Sequence, residues 1–149
     1  METVHRFSRE LRPAMLDDLG LVPALRSYVR AFAERNAVTV RFGSRGDVEK
    51  MGSEQKLVLY RVAQEGLTNV AKHAQATQVV VNLRHCKNSV SLEISDNGKA
   101  FSLEKQIGSG GQKRLGLIGI QERIRLVQGE FALKSEPGKG TTVRVQVPF

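Results

Sequence analysis

Arg61, Glu65, Asn69 and His73 recur at intervals of four, so on a helix they form one polar line, with Lys72 at its edge. A plain solvated face is built mainly from Lys and Glu. This line instead mixes a carboxylate, a carboxamide, an imidazole and an ammonium on a segment otherwise apolar at Leu57, Leu59, Val62, Leu67 and Val70. The oxygens of Glu65 and Asn69 are hard donors of the kind magnesium takes, and Lys72 offers charge to a phosphate. A second candidate is Asp96, where an apolar run ends in Asp96-Asn97-Gly98. That tripeptide forms an Asx turn without any ligand. It also offers an acceptor to an exocyclic amine, beside a glycine that lets a flat ring approach the backbone. A third is Leu115-Gly116-Leu117-Ile118-Gly119, ahead of a helical pattern, where free amides and a helix N-terminus suit phosphate oxygens. A flexible glycine hinge explains the same residues. They are neither a Gly-Lys-Ser/Thr phosphate loop nor a dinucleotide Gly-x-Gly-x-x-Gly.

These residues need elements to hold them. Val4 to Leu11 reads as the end of a helix broken by Pro13. Pro23 suits the first turn of a new helix, whose apolar stripe Leu25, Tyr28, Val29, Phe32 runs to about Asn36. Val38, Val40 and Phe42 alternate as a half-buried strand. A long helix is expected from Ser53, as N-cap, to about Ala74. Val79/Val81/Leu83 and Val90/Leu92/Ile94 form a hairpin through Lys87-Asn88-Ser89. Lys99 to Lys113 loses all periodicity and is too long for an ordinary connection. Leu117, Ile120, Ile124 and Val127 restore helical spacing, with Gly129 expected as C-cap. Two strands, Phe131–Ser135 and Thr142–Val147, flank the turn Pro137-Gly138-Lys139-Gly140. Short turns between consecutive strands predict an α+β two-layer sandwich, its mixed, mostly antiparallel sheet covered by helices on one face.

At 149 residues, 40% hydrophobic and 26% charged, the chain has the size and balance of one globular domain. Its longest apolar runs fall far short of the ~20 residues of a membrane helix, and no secretory pattern opens it. One cysteine, Cys86, excludes an internal disulfide and a Cys-rich metal site, and points to a reducing compartment. A net charge of +8 attracts polyanions. Aromatics make up only 5%, with no stacking platform among the scattered basic residues, so a nucleic-acid partner is not expected.

In order along the chain these pieces resemble the ATP-binding domain of sensor histidine kinases, within the wider group that includes gyrase, MutL and the large heat-shock chaperone ATPases. Leu59 to Ala74, LYRVAQEGLTNVAKHA, is similar to that family's N box. Asp96-Asn97-Gly98-Lys99-Ala100-Phe101 resembles its first glycine box, Leu115 to Ile124 its second, and Gly138-Lys139-Gly140-Thr141-Thr142 its closing Gly-x-Gly-Thr turn. Leu11-Arg12-Pro13 with Leu16-Asp17-Asp18-Leu19-Gly20-Leu21 is similar to the joint between dimerisation helices and ATPase domain in the NarL-associated subfamily. Four ordered motifs over nearly the whole chain are specific where any one would not be.

The resemblance implies a sandwich of the Bergerat type, with residues 1–20 as the end of a dimerisation helix and linker, 21–149 as the catalytic domain and an ATP lid at about 99–114. It implies ATP and magnesium: Asn69 on the metal, Glu65 positioning water or drawing the acceptor's proton, Lys72 and His73 toward the phosphates. Asp96 would read the adenine amino group with a water shared by Thr142, Gly98 would clear room for the ring, and Gly116, Leu117 and Gly119 would close the lid. The implied partners are a dimerisation domain bearing the phosphoacceptor histidine and a response regulator, in the cytoplasm, membrane attachment of the full-length protein being open. Ala100 and Arg114 depart from the family's usual glycines, a change that would either restrict the lid or, at Arg114, add a phosphate contact. No histidine fits the acceptor: His5 precedes Arg6 rather than an acid, and His85 falls in a strand. The expectation is therefore a fragment of a longer kinase. The competing readings are an anti-sigma-type serine/threonine kinase of the same fold and an interaction module whose nucleotide binding is impaired.

Overall fold

The computed structural model describes residues 13–98, 111–136 and 138–149, the side chains of 73, 74 and 111–118 excepted. The expected helix over Val4–Leu11 and most of the expected lid, 99–110, lie outside the described residues.

Helix α1 (Ala14–Leu19) ends at Gly20, whose φ of +100° turns the chain directly into α2 (Leu21–Asn36). The stripe on α2 is buried at Leu21, Leu25, Val29 and Phe32, with Tyr28 half-buried beside it. Leu16 of α1 is only 3% exposed, so the core reaches back before residue 20. Strand β1 (Thr39–Arg45) follows, then a short 3₁₀ turn, Val48–Lys50, and helix α3 (Ser53–Asn69). The cap of α3 is Gly52 rather than Ser53: the Gly52 N–H donates to Gln55 Oε1 at 2.6 Å, and Gln55 Nε2 donates to the Pro148 carbonyl at 2.7 Å. A glutamine that bonds both its own helix start and the far end of the sheet fixes this terminus without a serine hydroxyl.

Beyond Asn69 the helix widens into one π-helical turn, Val70–Ala74, and the hairpin β2 (Gln78–Cys86) and β3 (Ser89–Asp96) follows across Lys87-Asn88. Helix α4 (Gly111–Leu126) leads to β4 (Glu130–Glu136) and β5 (Gly140–Pro148). Gln128 rather than Gly129 takes the left-handed φ, +60°. The N–H groups of Gln128 and Gly129 reach back to the carbonyls of Arg125 and Ile124 at 3.0 and 2.9 Å, closing the helix as a Schellman motif. Gly129 answers to packing instead: a Cβ there would stand 2.9 Å from the Gln146 carbonyl oxygen and from Ile124 Cγ2.

The five strands run β1-β2-β3-β5-β4, with β1 and β2 parallel and every other pair antiparallel. The parallel pair requires a crossover, which α3 supplies. Along β2 the buried residues Val79, Val81 and Leu83 alternate with exposed ones, so one face of the sheet meets the helices and the other does not. This is the expected α+β sandwich with its mixed, mostly antiparallel sheet. Among the described residues no helix is long and apolar enough to cross a membrane.

Candidate functional site

Helix α3 carries the polar line at its C-terminal half. Arg61 Nη1 donates to Gln64 Oε1 at 2.9 Å, and burial, with the neighbouring Arg123 of α4, pulls the Arg61 pKa down. Glu65 and Asn69 are half-buried. Thr68 Oγ1 donates to the Gln64 carbonyl at 2.8 Å, a back-bond that loosens a helix just where α3 gives way to the π turn. Lys72 and His73 ride on that wider turn, which ends at Gln75 with φ +51°. Lys72 is exposed, and the His73 side chain lies outside the described residues. The α-helical interval that would align His73 with Asn69 does not hold across the π turn, so the line is continuous only from Arg61 to Asn69.

Asp96 is the last residue of β3 and is 7% exposed. Its Oδ1 accepts the Gly98 N–H at 2.8 Å, so the Asx turn forms as the Asp-Asn-Gly tripeptide suggests. Asn97 adds the other half of the corner: its Oδ1 accepts the N–H groups of Thr77 and Gln78, both at 3.0 Å. Burial raises the Asp96 pKa above its ordinary value, opposed by the backbone N–H groups of Gly98 and Thr141. Gly140 explains how β5 comes so close: its φ is +87°, and a Cβ there would collide with the Asp96 carbonyl oxygen.

The turn alone would leave Asp96 a structural residue, but Asp96 also lines a cleft together with Gly66, Asn69 and Val70 of the α3 end, Ile94 of β3, and Ile120 of α4. Phe131, Leu133, Thr141 and Val143 complete it. The lining is mainly apolar, with a carboxylate, a carboxamide and a hydroxyl set into it, the make-up of a small-molecule site. Asn69 and Asp96, from two different elements, thus line one cavity.

Two expectations change. Thr142 pairs with Ser95, and their hydroxyls lie 2.9 Å apart on the uncovered face of the sheet, away from the cleft. The residue opposite Asp96 is Thr141, 4% exposed and 3.0 Å from the Ser135 hydroxyl. The reason is the period of two along a strand: Thr141, Val143, Val145 and Val147 share the inward face, a signal already present in the sequence. The second change concerns Gly116, Leu117 and Gly119. They lie inside α4, which begins at Gly111, so residues 111–114 of the expected lid are helical. Backbone amides from residue 115 onward fall within the helical hydrogen-bond ladder, and an open N-terminus belongs to Gly111–Arg114. At Gly119 a Cβ would meet nothing within 4 Å among the described residues.

Among the described residues no cluster of three or more His, Cys, Asp and Glu side chains could hold a metal. A lone carboxamide oxygen with a carboxylate one turn away suits a cation whose other ligands are phosphate and water, as magnesium's usually are.

Residues 54–149 match the model of the histidine kinase-, DNA gyrase B- and HSP90-like ATPases. The chain is 37% identical over 147 residues to the signal transduction histidine-protein kinase/phosphatase DegS of Brevibacillus brevis, covering 98% of this chain and 37% of that protein. It is 38% identical over 150 residues to the oxygen sensor histidine kinase NreB of Staphylococcus carnosus, covering all of this chain and 42% of that one. The chain thus spans only about two fifths of these curated relatives. Among solved structures, the histidine kinase domain of a blue-light activated kinase from Erythrobacter litoralis superposes with a TM-score of 0.67 at 19% identity, over 86% of this chain and 60% of that one. The mycobacterial sensor histidine kinase MprB superposes at 0.66 and 16% identity, over 86% and 93%. At such identities the likeness speaks for the fold.

Proposed function

The chain belongs to the histidine kinase-, DNA gyrase B- and HSP90-like ATPase family, and we propose that it is the ATP-binding catalytic domain of a two-component sensor histidine kinase, handing the γ-phosphoryl of ATP to a histidine on a dimerisation domain for relay to a response regulator. The observation that carries the reading is the cleft itself, in which a buried carboxylate and a carboxamide from two different elements face one apolar volume.

Asp96 accepts from the adenine amino group with the carboxylate capacity that its two backbone amides leave free. Thr141, directly across from it, replaces Thr142 as the hydroxyl at this edge of the ring. Gly98 gives the corner its close backbone approach. Asn69 would hold magnesium through its amide oxygen, and the metal would supply positive charge to the phosphates. Glu65, one turn before it, orients water or draws the proton from the acceptor nitrogen. Lys72 and His73 supply charge beside the phosphates from the π turn. Gly116, Leu117 and Gly119 border the phosphate side from within α4.

Calorimetric titration with a non-hydrolysable ATP analogue and magnesium tests the proposal. Saturable heat is expected, and no heat at millimolar analogue would end it. Incubation with radiolabelled ATP and a separate histidine-bearing dimerisation domain should then give acid-labile label. Transfer to a serine-bearing protein instead would assign the chain to the serine/threonine kinases of the same fold.

A further inference from the structure

Gly66 sits in the last turn of α3 on its buried face, where alanine would be the better helix former. A Cβ built there would stand 2.7 Å from Ile94 Cδ1, so the position is empty because the isoleucine's terminal methyl occupies it. Ile94 is 2% exposed and lies on β3 two residues before Asp96, so the two side chains share one face of the strand. Both Gly66 and Ile94 line the cleft that Asp96 and Asn69 face.

We infer that the Gly66–Ile94 pair sets the depth of the cleft beyond Asp96, and so selects a purine whose amino group is unsubstituted. The inference rests on the reading of the cleft as an adenine site. Along the strand, Ile94 comes before the carboxylate and closes the apolar space behind it, while Gly66 gives its δ-methyl a place outside the ligand's volume. The atom that a methyl group on residue 66 would strike is the far end of a flexible side chain, not backbone. Gly66→Ala therefore leaves α3 on the sheet and turns the Ile94 methyl toward the open volume it lines. A substituent on the purine amine meets the same methyl from the other side.

The test is titration of the chain with ATP and with N6-methyl-ATP, in the presence of magnesium, alongside thermal melts. Gly66→Ala is expected to weaken ATP binding roughly tenfold, the effect of one misplaced methyl in an apolar pocket, without lowering the melting temperature. Gly66→Ala combined with Ile94→Val, which removes the δ-methyl, is expected to bind ATP again within about twofold of the unsubstituted chain. Ile94→Val alone should shift the preference between the two nucleotides roughly tenfold toward N6-methyl-ATP. Unchanged ATP affinity in Gly66→Ala, no recovery in the double variant, or an unmoved preference in Ile94→Val each overturns the inference. Should Gly66→Ala fail to fold, the Ile94→Val preference decides alone. If the unsubstituted chain binds neither nucleotide, the adenine reading itself falls, and the pair's role with it. ATP binding with no selectivity change in the variants removes only the role of the pair.

Discussion

Glu49 and Asp96 are both carboxylates that accept backbone N–H groups, and they stand at opposite ends of α3. Glu49 takes the amides of Leu21 and Val22, both at 2.9 Å, one on each oxygen, with Lys56 Nζ at 3.3 Å. It caps the start of α2 from a distant turn, and Gly20 makes the room: a Cβ there would stand 2.7 Å from Glu49 Oε1. Both oxygens of Glu49 are met by the protein's own donors, and its side chain, 36% exposed, also reaches solvent. Asp96 is more buried, and among the described residues the backbone amides of Gly98 and Thr141 oppose the effect of that burial on its pKa. A carboxylate that a fold needs for itself is surrounded as Glu49 is. One left costly, facing an apolar cleft, has capacity for something outside the chain.

Exchange of the two behaviours by mutation would break this contrast. The largest effect is expected from Asp96→Asn: affinity for adenine nucleotides falls roughly a hundredfold, because an amide presents a donor where the proposed site needs a charged acceptor. The empty domain melts no lower, since the asparagine oxygen still accepts from Gly98 and the buried charge is gone. Paired calorimetry and thermal melts read both. Glu49→Ala should do the reverse. It leaves two helix-start amides and Lys56 without their acceptor and costs about 2 kcal/mol of stability, while nucleotide affinity of the folded domain stays the same. Loss of affinity in Glu49→Ala, or of stability in Asp96→Asn, would undo the assignment.

Acidity sharpens the same contrast. The raised pKa means the folded domain binds the Asp96 proton more tightly than the unfolded chain, whose carboxyl titrates near 3.8. This residue's contribution to the empty fold is therefore most favourable below both values and declines as pH rises through the folded one. Nucleotide binding runs the other way. It requires the charged form, so affinity should drop on acidification at a pH above 3.8, and that part of the profile should vanish in Asp96→Asn. A titration of affinity against pH that is identical in the two proteins would contradict it.

The layer architecture was legible because it rests on periodicity, and the gathering of Asn69 and Asp96 because the resemblance of their motifs to the family's implies it. Strand β2 buries alternate residues and the stripe on α2 every third and fourth, and such patterns survive tertiary packing, whereas β3 buries Ser89 and Ser91 as well as Val90 and Leu92. What could not be read depends on contacts distant in the chain. Gln55 caps α3 by also binding Pro148, 93 positions away, so the usual preference for Ser53 was overridden. Gln128 takes a backbone conformation that Gly129 would accept more readily, because Gly129 is committed to packing on Gln146 and Ile124. The π turn at Val70–Ala74 has no signature in the hydrophobic pattern, and it shifts His73 out of line with Asn69.

The smallest expected difference is the one between adjacent threonines, and it tests the register on which the cleft depends. Thr141→Val keeps the shape of the side chain but removes a hydroxyl that lines the cleft opposite Asp96, so adenine nucleotide affinity should fall roughly fivefold. Thr142→Val removes a hydroxyl bonded to Ser95 on the uncovered face, and affinity should not move, with stability changing by less than about 1 kcal/mol. Because side chains on a strand alternate, a slip of one residue between β3 and β5 would exchange the two results. Measured with the same nucleotide under the same conditions, the pair of variants reports which threonine shares a face with the carboxylate, independently of how tightly either protein binds.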